Sequence, residues 1–590
     1  MKKLAKYLRP YLWKITAGIA LLFVQAWCEL ALPDLMSDIV NNGIGAGDTS
    51  YIVAVGVRML AIALLAMSAV IGSSFLASVV ASASARDLRR EVFVKVVSFS
   101  NAELDKFSTA SLITRSTNDI QQLQMFVFMS MRMLCYAPIM GIGGIIKVVG
   151  ARSGMEWIIV VAVLGILALV IGTFSIVTPR FKKIQELVDR LNMVVRESLS
   201  GIMVIRAFSN QQFEENKFQK ANSDLTGTHL FVTRFMGFMM PLMTLIMNLS
   251  VIAVLWFGGR GIQRGAINVG YMMAFIQYSM QIFWSFLMLS MMSMFIPRAA
   301  VSADRVVAVL EEEVTIKDTV ASAAPELPNN KPCVEFKNVS FKYPNAEEYV
   351  LQNISFRAGG AETVAFVGST GSGKSTLINL IPRFYDVTEG SIEVSGVDIT
   401  NIPLAGLRAK IGYVPQKALL FTGTIESNLR YGGGHITPED ARTAARIAQA
   451  SEFIEDAPDQ YETQISQGGT NVSGGQKQRL SIARALAKKP EIYIFDDSFS
   501  ALDYKTDALL RKALHEEVSQ AIVLIVAQRI STVMRADKII VLDEGRVAGQ
   551  GTHSELLRRC PVYREIAESQ LSPEELSRDL GADNIKEALT

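Results

Sequence analysis

Six apolar stretches constrain this chain more than anything else in it. They run over residues 13–36, 52–80, 124–149, 157–178, 236–258 and 271–296. Each exceeds the roughly 20 helical residues that cross a hydrocarbon core about 30 Å thick. Lipid offers no partner to an unpaired backbone group, so each stretch is expected as a membrane-spanning helix. The first is too long, and too lightly flanked by small residues, for the core of a cleavable leader. Beyond residue 300 the apolar runs end and the chain reads as a soluble α/β protein. Composition agrees: 50% of the residues are hydrophobic and 19% charged, against about 25% charged in soluble domains.

Basic residues set the expected orientation. Lys2, Lys3, Lys6 and Arg9 precede the first span. Arg86, Arg89, Arg90, Lys95, Lys106 and Arg115 lie between the second and third. Arg180, Lys182, Lys183, Arg190, Arg196, Arg206, Lys217 and Lys220 lie between the fourth and fifth. The loop at 37–51 has no Lys or Arg, and those near 150 and 262 have only Lys147, Arg152, Arg260 and Arg264. Both termini, both long connections and the soluble half are therefore expected in the cytosol, with a bacterial cytoplasmic membrane as the default location. The long connections carry apolar residues at helical spacing, as in Leu187, Leu191, Val194, Val195 and Leu199. They are read as membrane helices continued into the cytosol, with turned tips near 102–111 and 207–215. Arg132 and Arg234 are expected at the cytosolic boundary.

Within the spans, Gln277, Gln281 and Ser285 recur every fourth residue and share one helical face. Polar groups in a span commonly face a bundle interior or a wet cavity. The fifth and sixth spans hold Met236, Met239, Met240, Met243, Met247, Met272, Met273, Met280, Met288, Met291, Met292 and Met294. Flexible thioethers suit a surface accepting apolar ligands of differing shape, although lipid contact and helix packing use them too. The expected substrate is a small apolar or amphipathic compound, with lipid second and peptide third. No peptidase-like segment is evident before the first span, which weighs against peptide maturation. Cys28, Cys135, Cys333 and Cys560 show no Cys-x-x-Cys spacing, and the four histidines are scattered. Neither a zinc site nor a disulfide framework is indicated. A net charge of +2 gives no reason to expect a nucleic-acid partner.

The soluble half opens with a linker ending near residue 332 and an alternating, strand-like segment with Val334, Phe336, Val339 and Phe341. A second strand, 362–367, runs into Gly368-Ser369-Thr370-Gly371-Ser372-Gly373-Lys374-Ser375-Thr376 and then a helical stretch. This is the phosphate-binding pattern G-x-x-x-x-G-K-[ST] in its strand–loop–helix setting. Glycines let the backbone wrap phosphates with its N–H groups, and the helix start adds a favourable dipole. Lys374 brings charge to the outer phosphates and the Ser375 hydroxyl suits Mg²⁺. Downstream, the strand 492–495 ends in Asp496, an acid suited to holding the Mg²⁺ shell. Together they indicate a site for a magnesium–nucleotide complex.

Ser473-Gly474-Gly475-Gln476, upstream of Asp496, resembles the signature of ATP-binding-cassette proteins. The order of the remaining motifs is similar to that family, and six spans before one cassette resembles an exporter half-transporter. The resemblance implies ATP and Mg²⁺ as ligands, Tyr343 stacked on adenine, and Gln416 reaching the Mg²⁺. It implies Ser500-Ala501-Leu502-Asp503 as the loop crossing a dimer interface. Two cassettes would close head to tail, the Ser473–Gln476 segment of one completing the phosphate site of the other. The cytosolic tips would act as coupling helices. The expected architecture is a six-helix all-α transmembrane domain over 1–305, a linker over 306–332, an α/β cassette over 333–570 and a tail over 571–590.

The sequence departs from the family pattern at two catalytic positions. Asp497 stands where the family has the Glu that orients the attacking water. Gln528 stands where it has a His that contacts the γ-phosphate. Asp is one methylene shorter, and a misplacement of about 1 Å costs on the order of 100-fold in rate. Gln cannot become a cation. Gln467 also replaces a frequent Glu in a loop facing the coupling helices. With Gly368–Ser375 and Ser473–Gln476 intact, the pattern resembles the degenerate-site chain of a heterodimeric exporter, whose partner, a non-identical half-transporter, carries the Glu and His. The alternatives are a homodimeric exporter or lipid flippase with a slow Asp base, and a nucleotide-gated regulatory membrane subunit.

Overall fold

The computed structural model describes residues 2–150, 154–318, 332–344, 346–518, 520–572 and 575–576. Residues 319–331 of the expected linker and nearly all of the expected tail lie outside them. The chain divides into two units: one is Met1–Val97 with Thr109–Glu312, the other Ser98–Ser108 with Glu313–Thr590.

The described residues of the first unit form helices joined by short loops. Its elements are α1 (Leu12–Asp38) and α2 (Thr49–Val97), then, after α3 (Asn101–Phe107) of the other unit, α4 (Thr109–Ser116), α5 (Asn118–Met129), α6 (Cys135–Gly150), α7 (Glu156–Ser200), α8 (Ile202–Ala207), α9 (Gln211–Gln263) and α10 (Val269–Glu311). Six spans emerge, Lys3–Ile44, Thr49–Val97, Thr109–Gly150, Glu156–Ser200, Gln211–Gln263 and Val269–Glu311, and each contains one of the apolar stretches. Only 11–33% of each apolar window is buried inside the unit. The outward remainder, including Ile71, Phe75, Trp27 and Trp256, makes lipid its natural surrounding. α2, α7 and α9, of 49, 45 and 53 residues, outrun the bilayer, as the long connections led one to expect.

Short helices and turns stand at the two tips. At the second, the chain leaves α7 at Gly201, forms the short helix α8 over Ile202–Ala207, and turns through Phe208–Asn210, within the expected 207–215, with Ser209 at φ +49° before α9 begins at Gln211. The extra helix α8 is apolar, Ile202-Met203-Val204-Ile205, so hydropathy does not separate it from α7. The first tip, α3, ends at Ser108 (φ +56°), a residue-type that helices rarely hold in that conformation.

The second unit contains β1 (Cys333–Phe341), β2 (Leu351–Gly359), β3 (Thr363–Gly368), β4 (Glu389–Val394), β5 (Val397–Asp398), β6 (Ile411–Val414), β7 (Gly423–Thr424), β8 (Gln464–Ile465), β9 (Ile492–Asp496), β10 (Ile522–Val526), β11 (Lys538–Asp543) and β12 (Arg546–Gly551). A four-stranded antiparallel sheet has the order β2-β1-β4-β5; a six-stranded one has β12-β11-β3-β10-β9-β6, parallel except for β12. β9 and β10 are buried along their whole length, as parallel strands covered on both faces are. Alternation splits the core: Val364, Phe366, Ile494 and Leu524 face one layer, Ala365, Val367, Phe495 and Ile525 the other.

α3 belongs to this unit. The Glu103 carboxylate accepts from Ser100 N at 2.7 Å, from Thr315 N at 3.2 Å and from Thr315 Oγ1 at 2.8 Å. The Tyr385 hydroxyl donates to Asp105 Oδ2 at 3.1 Å.

Candidate functional site

Sheet order places the site. β3 and β9 flank β10, and the register aligns Val526 with Phe366 on one side and with Asp496 on the other. The loops leaving these three strands therefore open at one edge, the carboxyl end of a parallel sheet, where α/β proteins bind ligands. Gly368–Ser375, Asp496–Asp497 and Gln528 meet there although up to 160 residues separate them in sequence.

The loop after β3 turns on glycine. Gly371 and Gly373 have φ of +86° and +93°, and a Cβ at Gly373 would come 2.7 Å from Leu351 Cδ2. Ser372 and Thr376 are buried beneath the loop. Lys374 Nζ donates to the carbonyls of Gly368 and Ser369 at 2.9 and 2.7 Å and reaches Ser372 Oγ at 3.3 Å. Burial pushes its pKa down, against the pull of Asp497 and Asp496. Thr370 stands at the tip between Ser369 and Gly371. Ser375 Oγ donates to Asp496 Oδ1 at 2.8 Å. A hydroxyl and a carboxylate so paired, with the Gln416 amide nearby, form an oxygen-rich set of the kind a hard divalent cation takes. Burial raises the Asp496 carboxyl above the ordinary range, with the Ser375 hydrogen bond opposing it.

Asp497 follows at φ +46°, a conformation that Asp adopts more readily than most residues. Its N–H donates to Val526 O at 3.0 Å. Its Oδ2 accepts from Gln528 Nε2 at 2.8 Å and faces Gln416 Nε2 at 3.4 Å. Burial raises this carboxyl too; the Gln416 hydrogen bond and the charges of Lys374 and Arg529 oppose the rise. Ser500 Oγ donates to Asp497 O at 2.8 Å, so the loop after β9 is tied to the same residue. Leu502 is buried, Ala501 is exposed, and Asp503 caps the helix Tyr504–Glu517 through Thr506 N at 3.0 Å.

Tyr343 stands at the rim, its hydroxyl 2.9 Å from Thr376 Oγ1 and its ring edge-on to Phe341 and Tyr385. A cavity of about 410 Å³ adjoins it, lined by Phe341, Tyr343, Tyr385, Ala102 and Ile316 among others.

The Ser473–Gln476 segment starts the helix Gly474–Ala487 with a capping box: Gln476 N donates to Ser473 Oγ at 3.3 Å and Ser473 N to Gln476 Oε1 at 3.0 Å. The serine and glutamine are thus explained locally, but the glycines are not. A Cβ at Gly474 would meet nothing within 4 Å, and one at Gly475 only Ala501 O at 3.5 Å. The space above them is open among the described residues.

The family profile described as the ABC transporter transmembrane region matches residues 15–286, and the one described as ABC transporter matches 351–500. An uncharacterized ABC transporter ATP-binding protein of Mycobacterium tuberculosis is 40% identical over 572 residues, covering 96% of this chain and 97% of that protein. The chain belongs to the ABC transporter family. It is also 30% identical to an ATP-dependent lipid A-core flippase of Chromobacterium violaceum, over 97% of both chains. A solved bacterial Atm1-family ABC exporter with ATP bound superposes with a TM-score of 0.77 at 26% identity, covering 95% of this chain and 98% of that one. The protein is thus an integral membrane ABC exporter with an ATP-binding cassette, an enzyme of ATP-driven transport, of the half-transporter type that assembles in pairs.

In this transporter one contact near the site has no sequence signal. Gln570 Nε2 donates to Gln528 O at 2.9 Å and its Oε1 accepts from Ile530 N at 2.8 Å. A lone glutamine 42 residues downstream is not a motif, and only the fold brings it there. The membrane face singled out by sequence splits up. Ser285 is buried against Gly141, donating to Ile282 O at 2.7 Å; Gln281 Nε2 donates to Glu29 O at 3.0 Å; Gln277 is half-buried.

Proposed function

We propose that this chain is one half of a heterodimeric exporter of apolar or amphipathic compounds whose own ATP site binds nucleotide but hydrolyses it poorly. The single observation that carries this reading is the Gln528–Asp497 hydrogen bond of 2.8 Å. The amide occupies the carboxylate oxygen that would orient a water, and no imidazole is present to meet the γ-phosphate.

In this reading Gly368–Thr376 wraps the phosphates, with Lys374 on the outer ones, and Tyr343 stacks on adenine. Ser375 and Gln416 ligate Mg²⁺, Asp496 holds its shell, and the ion supplies charge neutralisation on the phosphates. With Nε2 of Gln416 toward Asp497, its Oε1 is the amide's remaining acceptor. Ser473–Gln476 completes the partner's competent site, a reading that the open space above Gly474 supports. Ser500–Asp503 lies along the interface. Binding closes the paired cassettes and turns the membrane cavity outward; hydrolysis at the competent site resets it. The membrane is the bacterial cytoplasmic one, with the cassette and both termini cytosolic. The methionines of α9 and α10 support a substrate surface of low shape selectivity.

A homodimeric flippase with a slow Asp497 base is the second reading, favoured by the flippase relative. Hydrolysis by the purified chain alone decides between them. ATP binding without turnover is expected; brisk turnover would replace the heterodimer with a homodimer.

A further inference from the structure

α1, α6 and α10 bring four polar side chains together within the span. Gln25 and Glu29 lie one turn apart on α1, and Gln25 Nε2 donates to Glu29 Oε1 at 2.9 Å. From α6 the Tyr136 hydroxyl donates to Glu29 Oε2. From α10 Gln281 Nε2 donates to Glu29 O at 3.0 Å, while its Oε1 is buried with no hydrogen-bond partner. Glu29 lies seven residues inside the expected end of the first apolar stretch, about 10 Å at the helical rise of about 1.5 Å per residue.

The cluster holds a carboxylate and no cation. Among the described residues no Lys, Arg or His pairs with Glu29; on α6, Lys147 pairs with Asp34 at 2.6 Å, five residues further along α1. The donors that reach Glu29 are neutral. A carboxylate at membrane depth is stable when it meets opposite charge, and a buried acceptor left unpaired lacks a donor. Both deficits call for a donor, and a positively charged N–H group supplies what each lacks. Helix-to-helix adhesion alone would need only the neutral hydrogen bonds already present, which a glutamine at position 29 would serve as well.

We infer that Glu29, with Gln281, is a binding site for the charged head of a lipophilic organic cation, the protonated amine of an amphipathic substrate. This rests on the exporter reading above and narrows its substrate class.

The test uses the full chain in lipid nanodiscs, with empty nanodiscs subtracted. Equilibrium dialysis compares naphthylmethylammonium with neutral naphthylmethanol, and a fluorescent ATP analogue is bound to the same preparation. Glu29→Gln is expected to weaken ammonium binding about tenfold or more and to leave the alcohol unchanged. Tyr136→Phe, which removes a neutral donor and keeps the charge, is expected to retain ammonium binding. Equal ammonium affinity in the wild type and Glu29→Gln, or equal loss of both probes, would overturn the site. Absence of ATP binding in the wild type would instead overturn the exporter reading beneath it.

Discussion

Gln528 Nε2 and Asp497 Oδ2 lie 2.8 Å apart, closing a hydrogen bond between residues just beyond the ends of two adjacent strands. Restoring the family pair should open it. Asp497→Glu with Gln528→His is expected to raise ATP turnover by this chain alone about 100-fold, because the carboxylate regains a methylene of reach. Phosphate release under saturating ATP measures it. A double variant no faster than wild type would show that another feature limits hydrolysis.

The residual turnover should carry the signature of a buried base. Asp497 must be ionised to accept a proton, and burial holds its carboxyl above the ordinary value of 3.8. Activity is therefore expected to be lost as pH falls through that raised pKa, earlier than a free Asp would predict. On the alkaline side Lys374, lowered from 10.5 by burial, loses its charge early and weakens nucleotide binding. A pH profile of kcat and KM checks both limbs, with Asp497→Asn as the control that should lack the acid one. An acid limb centred near pH 4 would contradict the raised carboxyl.

Gly474→Glu tests the signature from within one chain. Its side chain meets nothing nearby, and an acid in the first turn suits the helix dipole, so the melting temperature should stay within about 1–2 °C. In the Asp497→Glu, Gln528→His background, turnover should fall about 100-fold, because negative charge then faces the phosphates held by the opposing cassette. Unchanged turnover would mean that the open space serves no nucleotide.

Gln570 holds the backbone around Arg529, donating to the Gln528 carbonyl and accepting from Ile530 N. In the same restored background Gln570→Ala is expected to lower kcat about tenfold with KM for ATP nearly unchanged, since a switch side chain loses its orientation and not its contact with the nucleotide. Gln570→Glu keeps the acceptor for Ile530 N and loses the donor, so it should fall between. A change confined to thermal stability would reduce Gln570 to a structural tie.

Glu103 is buried on α3 and takes hydrogen bonds from Ser100 and Thr315. Burial opposes its ionisation, yet these bonds hold its pKa below 4.5. Its stabilising effect is present above that value and lost as pH falls through the lowered pKa. Glu103→Ala should cost about 1–3 kcal/mol in cassette unfolding at pH 7, with the difference from wild type shrinking as pH falls below 4.5 and through the lowered pKa. A difference independent of pH would place the effect in packing.

Sequence alone determined the six spans, the phosphate loop, the signature and the two catalytic departures. Spans need only length and hydropathy, because lipid leaves the backbone no choice but a helix. The loop and signature are contiguous, so their chemistry is local. Tertiary structure decided everything that depends on neighbours distant in sequence. It joined Asp497 to Gln528 through the strand order β9-β10, and brought Gln570 to the same loop. It seated α3 with the cassette, and turned Gln281 toward Glu29. It added the short helix α8 ahead of the second turn, a break that the apolar run 202–205 does not announce. Spacing along a chain fixes which groups exist on each face; only the pairing of strands and helices fixes which of those groups meet.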